Sequence, residues 1–279
     1  MEKQKIFDIH THVYPDAIAD KAVTALNNFY NFTCEGNGRL NDLISSEREA
    51  GIAGFLLLGV ATNAHQVKAV NDSIAGDIKT ARSLGFEAYG FAGMHQDFAD
   101  KSAEGERVLA LGLSGFKIHP DIQGADIDDP RFFDLYTFCE GRIPVYFHIG
   151  DDRDKYCYSK LDKLYRLAEK FPKLKFCAAH LGGYLDHELA LELGRHENAW
   201  YDCSSSLWNT ELSKIYRLFE KLGVDRIMFG TDYPCKYGKK ELERFSALGL
   251  DAEATRRVLW DNAMEFLGKA SDKNGAIHE

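Results

Sequence analysis

A (β/α)8 barrel is the fold class this sequence predicts, and three observations predict it. Eight short apolar runs recur along 279 residues. Longer amphipathic stretches separate them, as in parallel βαβ units rather than hairpins. Histidines, a lysine and aspartates gather at the C-terminal ends of the runs, where a barrel carries its functional groups. The competing doubly wound sheet lacks support, because no G-x-G-x-x-G turn follows the first run.

The elements follow in order. Residues Lys5–His10 form the first strand, short and apolar. Asn27–Gly38 (NNFYNFTCEGNG) is polar, aromatic and glycine-containing, and is expected as a loop over the barrel mouth. Gly54–Val60 is the second strand, Ala64–Leu84 a helix, and Glu87–Gly93 the third strand. Gly115–His119 and Ile143–His148 are strands four and five, with the helical stretch Arg131–Glu140 between them. The helix Ser159–Phe171 leads to strand six, Leu174–His180, and Ala199–Cys203 is strand seven. Thr210–Leu222 reads as a helix, Arg226–Gly230 as strand eight and Lys239–Leu248 as the helix after it. Asp251 starts a last helix that runs to Gly268, with Leu259, Ala263, Phe266 and Leu267 on its apolar face. One domain over 1–268 and a polar tail over 269–279 are therefore expected.

Composition narrows the function. The chain is 45% hydrophobic and 28% charged, ordinary for a globular enzyme. A net charge of −9 without a Lys/Arg cluster argues against nucleic acid as a partner. No apolar run is long enough to span a membrane, and the polar start is unlike a signal peptide. The six cysteines form no C-x-x-C pair and are expected to be reduced thiols in a cytoplasmic protein. The partner expected is a small polar or anionic molecule; a homodimer is compatible with the sequence.

His10 and His12 stand two apart at the end of strand one, and residues i and i+2 share a strand face. By the same parity Asp8 joins them, Lys117 pairs with His119, Tyr146 with His148, and Met228 with Gly230 and Asp232. Three imidazoles and a carboxylate converging at the mouth make a Zn²⁺ site that keeps room for water. His180 is the spare imidazole for acid–base work. His119, His95, Asp202 and Lys117 are candidate substrate contacts, and Arg153 is a candidate clamp for a carboxylate. His65, His187, His196 and His278 are read as surface or packing residues. Gly182 and Gly183 are expected to permit a tight turn at positive φ.

Seven segments together resemble the amidohydrolase superfamily, in its branch of amidohydrolase-related decarboxylases, hydratases and lactone hydrolases. They are DIHTHVYP (8–15), GFKIHP (115–120), PVYFHIG (144–150), AAHLGG (178–183), YDCSS (201–205), MFGTDYP (228–234) and DNAMEFLG (261–268). The resemblance implies metal ligands at His10, His12, His148 and Asp232, a catalytic His180, and Asp232 as a second proton-transfer group. Lys117 matches a position that bridges two metals as a carboxylated lysine in distant relatives and is an ordinary lysine in this branch. No glutamate follows strand four as in some binuclear members, so one divalent ion, Zn²⁺, is expected. The leading expectation is hydrolysis of a small amide, ester or lactone by metal-activated water. Some decarboxylases of the branch carry Glu in place of the first histidine, and this chain keeps His10. Nonoxidative decarboxylation of a small carboxylic acid is the alternative, and a non-catalytic binding protein is a third reading.

Overall fold

The computed structural model describes residues 4–269; the predicted tail beyond them, and His278, lie outside the described residues. Eight parallel strands are ordered β1 to β8 around a (β/α)8 barrel. They are β1 (Phe7–Thr11), β2 (Gly54–Leu58), β3 (Glu87–Gly93), β4 (Phe116–Ile118), β5 (Val145–Phe147), β6 (Phe176–Ala178), β7 (Ala199–Asp202) and β8 (Ile227–Met228). Seven predicted runs contain their strands, usually trimmed, while β1 begins two residues later than predicted and runs one residue further, to Thr11. The seam between β8 and β1 closes through Ile9 N to Phe229 O (2.9 Å), Asp232 N to His10 O (2.9 Å) and His12 N to Tyr233 O (2.7 Å).

Helices wrap the barrel: α1 (Ala19–Tyr30), α2 (Leu40–Ala50), α3 (Val67–Ser83), α4 (Lys101–Ala110), α5 (Pro120–Gln123), α6 (Phe133–Cys139), α7 (Leu161–Lys170), α8 (Glu188–Leu193), α9 (Leu212–Leu222) and α10 (Gly238–Ser246). Local chemistry sets their ends. The Asp100 carboxylate caps α4 by accepting from Ala103 N (2.9 Å). Asn31 ends α1 in the left-handed region at φ 56°, and Gly51 ends α2 at φ 71°. The expectation of a loop from Asn27 is thus corrected: residues 27–30 are the last turn of α1, and the loop covers 31–38. Asn27 helps to stop its own helix, since its side chain accepts from Cys34 N (2.9 Å) and turns the chain back.

The apolar residues sort into two layers. Phe55, Leu57, Phe116, Ile118, Val145, Phe147, Phe176, Ile227 and Phe229 pack outward under the helices. Phe7, Ile9, Leu56, Leu58, Phe91, Tyr146, Trp200 and Met228 fill the interior with Ala263, Met264, Phe266 and Leu267. The final helical segment is α11 (Ala252–Arg256), a π-turn (Arg257–Asp261) and α12 (Asn262–Phe266). The wider π-turn accompanies a backbone bond out of the helix: Phe229 N, just past β8, donates to Val258 O (2.9 Å).

The parity expectation fails at one strand. Pairing of β1 with β2 shifts register between Asp8 and Thr11. This bulge turns His10 into the same interior that receives Phe7 and Ile9. Asp8 is instead tied to the chain after β8, accepting from Thr231 Oγ1 (2.5 Å), Thr231 N (3.0 Å) and His10 N (3.0 Å).

Candidate metal centre and active site

The bulge in β1 delivers His10 and His12 to the C-terminal mouth, and the turn after β8 delivers Asp232. His10 Nε2 and His12 Nε2 are 3.2 Å apart. Asp232 Oδ1 lies 3.4 Å from the first and 3.7 Å from the second. Four ligands held at about 2.1 Å around a tetrahedral ion stand about 3.4 Å from one another, so these three atoms have the spacing of one coordination face.

Hydrogen bonding fixes which ring nitrogens are bare. His12 Nδ1 donates to the Leu58 carbonyl (2.8 Å). His10 Nδ1 faces Asp202 Oδ2 (3.3 Å) and Ser204 Oγ (2.9 Å), and donates there. Both Nε2 atoms therefore aim lone pairs at one point that a carboxylate oxygen also faces. Such a set is repulsive by itself and stable around a cation, so the residues fit a divalent ion. Ser205 Oγ donates to Asp232 Oδ2 (2.7 Å) and orients that carboxylate. Asp232 and Ser205 both sit in the left-handed region, at φ 60° and 53°, so the site stores local backbone strain.

Asp202 is the buried hub behind the centre. It accepts from Tyr146 Oη (2.6 Å) and Ser204 N (2.8 Å) besides His10. Burial pushes its carboxyl up, but His10, His180 and Ser204 outweigh burial and hold it below the ordinary carboxylate range. Burial, then the nearby Lys117, pushes His10 down and takes His12 to about 3, so both rings are neutral as ligands must be. Burial raises Asp232 against the opposing pull of His180. Lys117 is 1% exposed, with its Nζ 3.5 Å from His10 Nε2 and 4.7 Å from the Tyr146 ring centre. Burial lowers it to about 8, opposed by Asp232 and Asp202.

His148 stands one ring away from the convergent three. Its Nδ1 is 3.0 Å from His180 Nε2, and its own Nε2 is buried without a partner. Among the described residues two donor groups converge, His10–His12–Asp232 and His10–His180–Asp202, and His148 is in neither. His180 Nδ1 donates to Ser204 O (3.0 Å), so His148 donates to His180. His180 opens a strained turn: His180, Leu181 and Gly182 have φ of 60°, 51° and 78°. Gly182 meets the expectation of positive φ, whereas Gly183 is extended at φ 177° and is small because a Cβ would strike the Asp186 carbonyl. His187, read as a packing residue, is buried, and its Nε2 donates to His180 O (3.1 Å).

The proposed substrate contacts separate. His119 caps α5, its Nδ1 accepting from Ile122 N (3.4 Å), while its Nε2 donates to Tyr30 Oη (2.7 Å). Its ring stacks on His148 with centres 4.0 Å apart. His95 is buried at the end of β3, where its Nδ1 accepts from Asp97 N (3.2 Å). Arg153 is corrected from free clamp to strut. Its guanidinium bonds Asp151 Oδ2 (2.6 Å) and the Phe29 carbonyl, and lies over the Tyr156 and Phe29 rings. Ser205, Tyr146 and Tyr30 complete the site; strand parity sets Tyr146 beside His148 and Tyr30 lies in the aromatic stretch expected over the mouth, while Ser205 is given no role from sequence. The serine run YDCSS was the available signal for Ser205.

Among the described residues, no helix is long and apolar enough to cross a membrane. The family profile described as amidohydrolase matches residues 7–269. The chain is 26% identical over 216 residues to a 2-amino-3-carboxymuconate-6-semialdehyde decarboxylase of Dictyostelium discoideum. That alignment covers 60% of this chain and 56% of the relative, so the chain spans little more than half of its length. A TIM-barrel protein of Bordetella bronchiseptica superposes with a TM-score of 0.74 at 21% identity, over 95% of this chain and 99% of that one. A dihydroxybenzoic acid decarboxylase from Polaromonas, solved with manganese and the inhibitor 2-nitroresorcinol, gives 0.68 at 15% identity, over 98% and 99%. These two likenesses establish the fold. With the family profile covering nearly every described residue, the chain belongs to the amidohydrolase family, as an enzyme.

Proposed function

We propose that the protein is a metal-dependent nonoxidative decarboxylase of a small carboxylic acid. The observation that carries this reading is the 26% likeness to a decarboxylase over 216 residues. It reverses the order expected from sequence, in which hydrolysis stood first because His10 is kept. The geometry agrees on one further count. Asp232, cast as the proton acceptor for a hydrolytic water, has one oxygen facing the two histidines and the other engaged by Ser205.

His10, His12 and Asp232 would hold the ion, Zn²⁺ or another divalent metal such as the manganese of the Polaromonas enzyme. When bound, it supplies Lewis acidity to a substrate oxygen. Lys117 offers a buried ammonium to an anionic substrate beside that centre. The carbon–carbon bond to the carboxylate breaks, its electron pair stays on the remaining carbon, and CO₂ leaves. A proton must then reach that carbon. The His148–His180 pair is the relay suited to deliver it, because the His180 ring packs 5.0 Å from the His10 ring.

The test is a panel of small unsaturated and aromatic carboxylic acids, incubated in D₂O with protein loaded with Zn²⁺ or Mn²⁺. Release of one CO₂ per turnover, with deuterium on the carbon that lost it, is the expected outcome. His180→Asn should lower kcat by about 10²-fold or more. Incorporation of solvent oxygen without CO₂ would return the assignment to hydrolysis.

A further inference from the structure

Cys34 and Cys235 are far apart in sequence and adjacent in the fold. Cys34 lies in the loop after α1, and Cys235 in the turn that carries Asp232. Backbone bonds run directly between the two segments: Glu35 N to Cys235 O (3.3 Å) and Gly36 N to Pro234 O (2.9 Å). They hold the two segments side by side. Both segments are anchored elsewhere, Cys34 N on Asn27 Oδ1 (2.9 Å) and Cys235 N on Asp232 O (2.7 Å). Both thiols are free and buried, Cys34 at 9% exposure and Cys235 at 5%. The remaining free cysteines are the buried Cys139, Cys177 and Cys203 and the exposed Cys157.

We propose that Cys34 and Cys235 form a pre-organised dithiol site that a peroxide converts to a disulfide, strapping the loop over the mouth to the turn that carries Asp232. Chemistry favours Cys34 as the attacking sulfur. The adjoining Cys235 thiol holds its thiol below the ordinary range against the opposing effects of burial and of the Asp232 charge, and Lys236 adds a smaller lowering. Cys34 sulfur attacks one peroxide oxygen, the O–O bond breaks, and a sulfenic acid and water form. The Cys235 sulfur then displaces the hydroxyl from Cys34 as a second water. Two thiols lose two hydrogens and two electrons in all, and one peroxide becomes two waters.

The site stands apart from the decarboxylation reading, because its test reads bond formation. The full chain bearing Cys157→Ser, which removes the exposed thiol, is treated with a few equivalents of hydrogen peroxide and then mapped by mass spectrometry without reduction. The expected result is a loss of two hydrogens and a linked pair of peptides containing Cys34 and Cys235, reversed by dithiothreitol. The bond closes a long loop, so the unfolding midpoint should rise by on the order of 10 °C. Cys34→Ser and Cys235→Ser should each abolish both changes. Added oxygen on either cysteine with no linked peptide would overturn the proposal. A linked chain with a lowered midpoint would overturn the claim that the site is pre-organised.

Discussion

At the scale of single residues, the second partner of each ligand decides what the ligand can do. Leu58 O takes the proton of His12 Nδ1, and Asp202 with Ser204 takes that of His10 Nδ1, leaving two bare Nε2 atoms to face Asp232. His12→Ala should therefore leave the purified chain without its tightly held divalent ion by elemental analysis. Ser205→Ala, which frees Asp232 Oδ2, should retain a metal that a competing chelator strips about 10- to 100-fold more readily. Equal chelator resistance in the parent and Ser205→Ala would separate this serine from the centre. His187 supplies a different signature. Burial, then the charge of Lys214, lowers it to about 4 from 6.5. The unfolded chain thus binds its proton first as pH falls, so the contribution of His187 to stability is complete above pH 6.5 and is lost progressively towards pH 4. Complete loss corresponds to about 3 kcal/mol. His187→Gln should flatten the dependence of unfolding free energy on pH across that window in denaturant titrations.

At the scale of elements, Arg153 joins the loop after β5 to the end of α1. Asp151 neutralises it, the Phe29 carbonyl accepts from it, and three aromatic rings surround it. Because the guanidinium is about one-third exposed, solvent screening limits its contribution to about 1 kcal/mol. Arg153→Met should lower global stability little while speeding amide exchange at residues 27–31. Exchange unchanged there would mean that the strut does not hold α1. Such long-range joints were hidden from the sequence. The strands were readable because buried runs such as Gly54–Leu58 are nearly all apolar. The last turn of α1 was misread because NNFY is polar and aromatic, and what makes it helical is its packing at the mouth. The β1 bulge leaves no compositional trace, yet it sets which way His10 points. His119 resembled a substrate contact because the Pro120 behind it, which lets it cap α5, reads equally well as a strand end. The Asp202–His10 contact spans 192 positions and belongs to barrel closure rather than to any local pattern.

At the scale of the molecule, the two ends of the barrel carry separate tasks. The interior runs from the candidate metal centre, past Lys117 and Tyr146, to an aromatic floor. There Phe266 meets Phe91, Tyr146 and Trp200, with ring centres 6.0, 6.1 and 5.9 Å apart. The segment DNAMEFLG, which helped to mark the family, owes its pattern to this plug: Asn262 Nδ2 donates to Val224 O and Ile227 O (2.7 Å each) and seats α12 against β8. Tyr146 touches both tasks, its ring resting on Phe266 while its hydroxyl holds Asp202. Phe266→Ala removes a fully buried ring from a close-packed layer and should cost about 3–5 kcal/mol of unfolding free energy, measured by denaturant titration. The mouth is built from β1, the β7 and β8 turns and their hydrogen bonds, none of which involves Phe266 directly. Below its lowered transition the variant should therefore bind metal with its parent's chelator resistance. If metal affinity fell in step with stability, the floor would be setting the ligand geometry through Tyr146 and Asp202, and the division of the barrel into a structural and a chemical end would fail.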